Sequence, residues 1–155
     1  MVINVTTIYS MENMNIKGKS LFLAGPIPRD EGVASWKRKA VDILEKHGFS
    51  GTVLVPEKRE FTAKVDYMDE IEWDLKALST CDLIVFWIPR KKPHMLGLTS
   101  NVEFGYYINK KNIIYGRPDN ADEISYLDWL YKKDTGETPF NNLEDLLVES
   151  IRILK

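Results

Sequence analysis

The chain has 155 residues, of which 44% are hydrophobic and 28% charged, as expected for one globular domain with its own core. Its net charge of −2 gives no electrostatic reason to expect a nucleic-acid or membrane-surface partner. A single cysteine, Cys81, excludes an intrachain disulfide, and no run approaches the roughly 20 apolar residues of a membrane span. We therefore expect a cytoplasmic protein.

The N-terminal segment has no basic start followed by an apolar stretch, so it does not resemble a signal peptide. We predict an extension over residues 1–19, which either stays irregular or forms an edge strand at Val2–Tyr9. The remainder, residues 20–155, is predicted to be a single domain because its loops are short and it contains no linker or repeat.

The domain opens with the apolar run SLFLAGPIP, which predicts a buried strand that ends in a Gly-Pro loop. A helix at EGVASWKRKAVDILEKHG, a second strand at TVLVPE and a helix at DYMDEIEWDLKALSTC follow. On that second helix we predict an apolar face toward the core, made of Met68, Ile71, Leu75 and Leu78.

The next run, DLIVFWIP, is unbroken and apolar, which is typical of a central parallel strand that is buried on both faces. A helix at TSNVEFGYYINKK follows, with Thr99 or Ser100 as its predicted N-cap. The strand NIIYGRP and two helices, ADEISYLDWLYKKD and NNLEDLLVESIRILK, complete the chain. This alternation predicts an α/β domain with a mostly parallel sheet and helices on both faces.

Ligands of open α/β sheets bind beyond the carboxyl ends of the strands. Glycines in these loops let a ligand approach the backbone closely, arginine can bind an anion, and small polar side chains can hold a sugar hydroxyl or a phosphate. The predicted substrate-binding residues at this edge are Gly25, Pro26, Arg29, Thr99, Ser100 and Asn101.

Two acids at this edge are candidates for catalysis. Glu103 lies in GLTSNVEFGYY, in the predicted first turn of the third helix, where N–H donors favour an ionised carboxylate. An ionised carboxylate can be a covalent nucleophile at a sugar carbon; the alternative is that Glu103 only complements the helix dipole. Asp74, beside the apolar face of the second helix, either protonates a heterocyclic leaving group or lies on a solvated face.

Three segments together resemble the nucleoside 2-deoxyribosyltransferase superfamily: LFLAGPIPR, EIEWDLKALSTCDLIVFWIPR and GLTSNVEFGYYINKKNIIYGRP. The resemblance covers roughly residues 20–150 and implies a flavodoxin-like domain with five strands that cleaves the N-glycosidic bond of nucleosides or nucleotides. The nucleophilic glutamate of the family falls on Glu103 in NVEFG. The aspartate that contacts the base lies eight residues before the Asp that opens the third core strand, Asp82, and so falls on Asp74.

The sequence also departs from the family pattern. The loop KKPHMLGLTSN lacks the acid that transferases of the family carry before the nucleophile, and the chain ends in SIRILK rather than in an aromatic tail. Related nucleotide N-hydrolases use small hydroxyl residues in this loop to bind a 5′-phosphate, a role open to Thr99 and Ser100 with Arg29. Three functions therefore stay open: deoxyribosyl transfer between bases, hydrolysis of a nucleoside 5′-monophosphate, and non-catalytic nucleotide binding.

No metal or organic cofactor is expected, because the carboxylate supplies the nucleophile and the two histidines lack the spacing of a metal site. The resemblance implies that the partners are a nucleoside or nucleotide, a free nucleobase and further copies of the chain, with no nucleic acid and no membrane.

Overall fold

The computed structural model describes residues 4–28, 34–60 and 64–155, which contain five strands and five helices. The strands are β1 (Thr6–Tyr9), β2 (Ser20–Ala24), β3 (Thr52–Val55), β4 (Leu83–Trp87) and β5 (Ile113–Gly116). The helices are α1 (Trp36–Lys46), α2 (Tyr67–Thr80), α3 (Leu98–Tyr107), α4 (Ser125–Thr135) and α5 (Leu143–Ile153).

All five strands join one parallel sheet in the order β1-β3-β2-β4-β5. Phe22 of β2 pairs with Leu54 on one side and with Ile84 on the other, so β2 occupies the centre. This arrangement confirms the predicted α/β class and the flavodoxin-like fold. Strand β1 forms one edge of the sheet, whereas the division of the chain at residue 20 stays a prediction.

Two hydrophobic layers cover the sheet, because successive side chains of a strand point to opposite faces. Leu21 and Leu23 of β2 pack with residues of α1 and α5 on one face. Phe22 and Ala24 pack with residues of α2, α3 and α4 on the other face. Every residue of β2 and β4 is buried, as predicted for central strands between two helical layers.

Helix α2 presents a different face to the core from the one predicted. Met68 and Leu75 are 61% and 51% exposed, while Trp73, Ala77 and Leu78 are buried. The indole of Trp73 packs under the helix, and its Nε1 donates to the carbonyl of Glu12 at 3.0 Å. A buried tryptophan contributes more apolar area than the aliphatic residues it displaces, so it sets the rotation of the helix.

Within the described ranges, no helix combines the length and the apolar character that crossing a membrane requires.

Candidate active site

The topology creates a crevice at the carboxyl edge of the sheet. From β2 the chain passes to β3 on one side and then returns to β4 on the other, so the strand order reverses between β2 and β4. A pocket of about 210 Å³ lies at this edge. It is lined by Ala24, Gly25, Ile27, Lys37, Pro56, Tyr67, Glu70, Ile71, Asp74, Thr99, Ser100 and Glu103.

Gly25 allows the ends of β2 and β4 to approach each other beneath the pocket. A Cβ atom at this position would lie 1.9 Å from the carbonyl oxygen of Trp87 and 2.8 Å from the ring of Trp36. Its φ of +154° also lies in a region that side chains disfavour. Glycine is therefore required here by the contact between two strand ends, and the close approach of a ligand to its backbone stays a prediction.

Helix α3 begins earlier in the sequence than predicted, so Glu103 lies in its second turn rather than in its first. Its N-cap is Gly97, in the left-handed conformation at φ 68°, and the first helical residue is Leu98. The prediction of Thr99 or Ser100 as the N-cap is wrong, because both lie within the first turn. Glu103 consequently lies in the second turn, where its side chain reaches the pocket.

This position changes the expected charge of Glu103. Burial and the neighbouring charge of Asp74 raise the pKa of Glu103 to about 7, whereas Lys37 opposes that rise. The expectation that the helix terminus favours the ionised form is wrong, because the influence of the helix dipole fades beyond the first turn. The local environment, rather than the helix end, determines the protonation of this carboxyl.

Asp74 shares the pocket with Glu103 and is perturbed in the same direction. Burial raises the pKa of Asp74 to about 6, Lys37 lowers it, and Glu70 raises it further. Neither carboxyl makes a hydrogen bond to another described residue, so both are available to a ligand. Two interacting carboxyls titrate as a pair, so the two pKa values describe the pair rather than either residue alone.

The substrate-binding residues predicted from the sequence divide into two groups. Gly25, Thr99 and Ser100 line the pocket together with the two acids. Pro26 is not among the lining residues: a Cβ atom at Gly97 would lie 3.0 Å from its ring, and its carbonyl accepts a hydrogen bond from Trp36 Nε1 at 2.8 Å.

Asn101 is not part of the pocket wall. Its Oδ1 accepts a hydrogen bond from the guanidinium of Arg90, a buried residue that also donates to the carbonyls of Leu96 and Glu123. Asn101 and Arg90 therefore fix the loop before α3. Arg29, the predicted phosphate ligand, lies outside the described residues.

Lys37 is the pocket residue that the sequence analysis missed. It lies in the first turn of α1 and is only 4% exposed. A signal for it was present, because Lys37 has the helical spacing of Ala40, Val41 and Leu44, which form the buried face of α1. A lysine on the buried face of a helix either extends its ammonium group to solvent or is buried because its charge has a role.

A larger recess of about 580 Å³ lies at the opposite edge of the sheet, around Cys81, Asp82 and residues 108–112. It is wide and shallow, and its Lys111 ammonium already donates to the carbonyls of Ser79 and Cys81. Asp82 accepts a hydrogen bond from the backbone of Ser20 at 2.9 Å. Neither here nor elsewhere in the described ranges do three His, Cys, Asp or Glu side chains come together to hold a metal ion.

Comparisons with known proteins identify the family of the chain. A family model described as "Nucleoside 2-deoxyribosyltransferase like" matches residues 18–120, more than half of the chain. No curated protein matches. A crystal structure of a conserved protein from Enterococcus faecalis V583 aligns over 89% of both chains, at 15% identity and a TM-score of 0.49, a likeness too low to indicate function. The family match identifies the chain as a member of the nucleoside 2-deoxyribosyltransferase-like family.

Proposed function

We propose that the protein is a pentosyltransferase that cleaves the N-glycosidic bond of 2′-deoxynucleosides and transfers the deoxyribose to another base. One observation carries this proposal: Asp74 and Glu103, from two different helices, line the same pocket at the carboxyl edge of the sheet. Members of the family generally are enzymes acting on nucleosides. A module that only binds a nucleotide has no need of two half-buried carboxyls without hydrogen-bond partners among the described residues.

The first half of the reaction forms a covalent intermediate. A carboxylate oxygen of Glu103 attacks C1′, and the bond between C1′ and the base nitrogen breaks. The electron pair of that bond goes to the base, which receives a proton from the carboxyl of Asp74. The products of this step are the free base and deoxyribosyl-Glu103.

The second half reverses these events with a new base. A ring nitrogen of the acceptor attacks C1′, the ester bond breaks, and Glu103 leaves as a carboxylate. Asp74 accepts the proton that the acceptor nitrogen loses, which restores the starting state. Atoms and charges balance with the two carboxyls alone.

The reaction requires a proton on Asp74 and an ionised Glu103. Burial raises the pKa of both carboxyls, so each of them can hold a proton close to neutral pH. A base whose ring nitrogen accepts a hydrogen bond from protonated Asp74 would favour the reactive form. Binding of the base and activation of the nucleophile are then the same event.

A second candidate is hydrolysis of a deoxynucleoside 5′-monophosphate, with water as the acceptor. It is favoured by the presence of Thr99 and Ser100 in the pocket wall, within the first turn of α3. The N–H groups of a first helical turn lack partners within the helix, and they bind phosphate well. Two hydroxyls beside such donors would suit a 5′-phosphate.

A product assay distinguishes these functions. The protein would be incubated with a deoxynucleoside and a second free base, and separately with deoxynucleoside 5′-monophosphates, and the products separated by chromatography. We expect a new deoxynucleoside from the first mixture. Free base and deoxyribose 5-phosphate from the second mixture, with no exchange in the first, would instead identify the hydrolase.

Variants of Glu103 test the nucleophile in the same assay. Glu103→Ala and Glu103→Gln should abolish turnover and leave the fold intact, because the pocket loses its attacking oxygen. Glu72→Gln, on an exposed position of α2, is the matched control and should keep full activity. Turnover by Glu103→Ala at the rate of the wild type would refute the mechanism, and a wild type without any product would indicate a binding module.

We further propose that the chain forms homo-oligomers in the cytoplasm, where its one buried thiol, Cys81, would stay reduced. The contact would be formed by the α2–α3 surface, a set of apolar side chains that are more than half exposed: Met68, Leu75, Leu98, Val102 and Tyr106. Leu98, Val102 and Tyr106 recur every four residues and so form one stripe along α3. A second copy of this chain would remove these side chains from water.

A further inference from the structure

The side chain of Lys37 is buried, and its ammonium group has no hydrogen-bond or ion-pair partner among the described residues. Lys37 is 4% exposed and lines the pocket that contains Asp74 and Glu103. Its Nζ lies 5.9 Å from the centroid of the Trp36 ring but makes no hydrogen bond or ion pair with another described residue. Lysine is almost never buried unless it is paired, so this group requires an electrostatic explanation.

Acidic groups surround it from three elements. The titratable groups that line the pocket or act on Lys37 are Glu57 after β3, Tyr67, Glu70 and Asp74 on α2, and Glu103 on α3. Glu57 is already neutralised by Arg38, whose Nε lies 3.0 Å from its Oε1. Glu70 is likewise paired, with Lys58 Nζ at 3.1 Å. Among the described residues, Lys37 is therefore the cation that acts on Asp74 and Glu103.

The interaction acts in both directions. Burial lowers the pKa of Lys37, and Glu57, Glu103 and Asp74 oppose that change. In turn, Lys37 lowers the pKa of both Asp74 and Glu103, against the effect of burial. Without the ammonium, the two half-buried carboxyls would share one pocket and lose the cation that, among the described residues, favours their ionised forms.

We infer that Lys37 is a positioning residue of this site, whose buried ammonium holds negative charge on the Asp74–Glu103 pair. Its catalytic consequence rests on the proposed function: Glu103 attacks only as a carboxylate, so Lys37 keeps the nucleophile available near neutral pH. The electrostatic role itself is a property of the free protein and does not depend on any substrate.

The direction of the effect follows from the signs of the charges. Removal of a positive charge disfavours the carboxylates, so the pKa of Asp74 and the pKa of Glu103 both rise. The acid limb of the pH profile of kcat/KM then moves to higher pH, and activity falls most below neutrality. Because Asp74 has to be protonated in the reaction, the alkaline limb moves to higher pH as well, so activity is not lost on the alkaline side.

The experiment measures the two carboxyls directly. Carbon-13 NMR would follow the side-chain carboxyl signals of Asp74 and Glu103 during a pH titration, with Asp74→Asn and Glu103→Gln used to assign them. In Lys37→Met, a variant of similar length without the charge, we expect both titrations to move upward by about one pH unit, a tenfold gain in proton affinity. Lys37→Arg should keep them close to the wild type.

Lys39→Met is the matched control, because Lys39 is exposed on the same helix and carries the same charge. Its carboxyl titrations should equal those of the wild type. Titrations in Lys37→Met that are unchanged, or that move no further than in Lys39→Met, would overturn the inference. So would a wild-type Lys37 whose side-chain carbon-13 signal reports a neutral amine at pH 7, a measurement that needs no folded variant.

The same variants separate this inference from the proposed function. If the protein turns over deoxynucleosides, the acid limb of kcat/KM should move by the same amount in Lys37→Met and return in Lys37→Arg. If no substrate reacts but the carboxyl signals move, the proposed function fails and the role of Lys37 stands. If turnover is found and the acid limb of Lys37→Met coincides with that of the wild type, the proposed function stands and the role of Lys37 fails.

Discussion

Asp74 and Glu103 carry opposite tasks in the proposed reaction, although their surroundings act on both carboxyls in the same direction. Burial raises the pKa of both, so each can hold a proton closer to neutral pH than a carboxyl in water. Enzymes commonly shift carboxyls in this way where one of them has to donate a proton and the other has to stay ionised. Two such carboxyls in one pocket are therefore stronger evidence for a catalytic site than either residue alone.

Asp74 can be tested separately from the nucleophile. Asp74→Asn should slow departure of the base by roughly 10²–10⁴-fold, the usual contribution of general acid catalysis. Loss of its charge should also lower the pKa of Glu103, because Asp74 raises it. Steady-state rates with unmodified deoxynucleosides, measured across pH, would report both effects.

The leaving group provides the control for this prediction. A purine nucleoside methylated at N7 releases a neutral base without protonation, so Asp74→Asn should slow its cleavage far less. Asp69→Asn, on an exposed position of the same helix, should behave as the wild type with both substrates. Equal losses with the two nucleosides would remove Asp74 from the role of general acid.

At the scale of elements, the end of β2 has the strictest requirement for its residue. In Gly25→Ala the new methyl group would overlap the carbonyl oxygen of Trp87, which belongs to the backbone and cannot rotate away. We expect a loss of about 1–3 kcal/mol or more in the free energy of unfolding, measured by urea denaturation, together with loss of activity. The ends of β2 and β4 would have to separate beneath the pocket.

Gly105→Ala is the matched substitution. Gly105 lies inside α3 at an exposed position, and a Cβ atom there would meet no atom within 4 Å. Alanine should stabilise the protein by roughly 0.5–1 kcal/mol, because it restricts the unfolded chain and favours the helix. A Gly25→Ala protein as stable as the wild type would show that the two strand ends are not in rigid contact.

The order and type of the elements could be predicted, because continuous apolar runs and Gly-Pro boundaries mark buried parallel strands. The rotation of α2 about its axis could not be predicted. Met68 and Leu75 have the apolar spacing of a buried helix face, but Trp73 is buried in their place. The start of α3 was misplaced for a similar reason. Its N-cap is a glycine in a left-handed conformation, whereas the hydroxyls of Thr99 and Ser100 gave a stronger local signal.

The candidate site was predictable in part. The spacing of motifs located Glu103 and Asp74, and the structure brings them to one pocket. The spacing of Lys37 with Ala40 and Leu44 indicates that it is buried, but no local pattern shows that it lines the same pocket as Asp74 and Glu103. Asn101 has a polar side chain that could bind a ligand, but its Oδ1 accepts a hydrogen bond from Arg90 instead. Polar side chains are also needed to fix the loop before a helix, and the sequence does not distinguish the two roles.

At the scale of the whole molecule, the α2–α3 surface exposes apolar side chains that one copy of the chain leaves in contact with water. Val102 is 71% exposed, and its neighbours along α3 are exposed on the same stripe. Tyr67, at the beginning of α2, is also exposed and lines the pocket. Contact between two copies here would therefore lie beside the mouth of each pocket and could restrict the entry of water.

Val102→Glu tests this contact. A carboxylate placed in an apolar interface would be buried without a partner, at a cost of about 2–5 kcal/mol, so association should weaken by at least roughly 30-fold. Size-exclusion chromatography with light scattering should give a dimer or larger assembly for the wild type and a smaller species for the variant. Val148→Glu, on an exposed position of α5 on the other face of the sheet, should leave the assembly unchanged. A wild type that stays monomeric up to the highest attainable concentration, or equal dissociation in both variants, would exclude the α2–α3 surface as the interface, and exclusion of water would then have to come from within one chain.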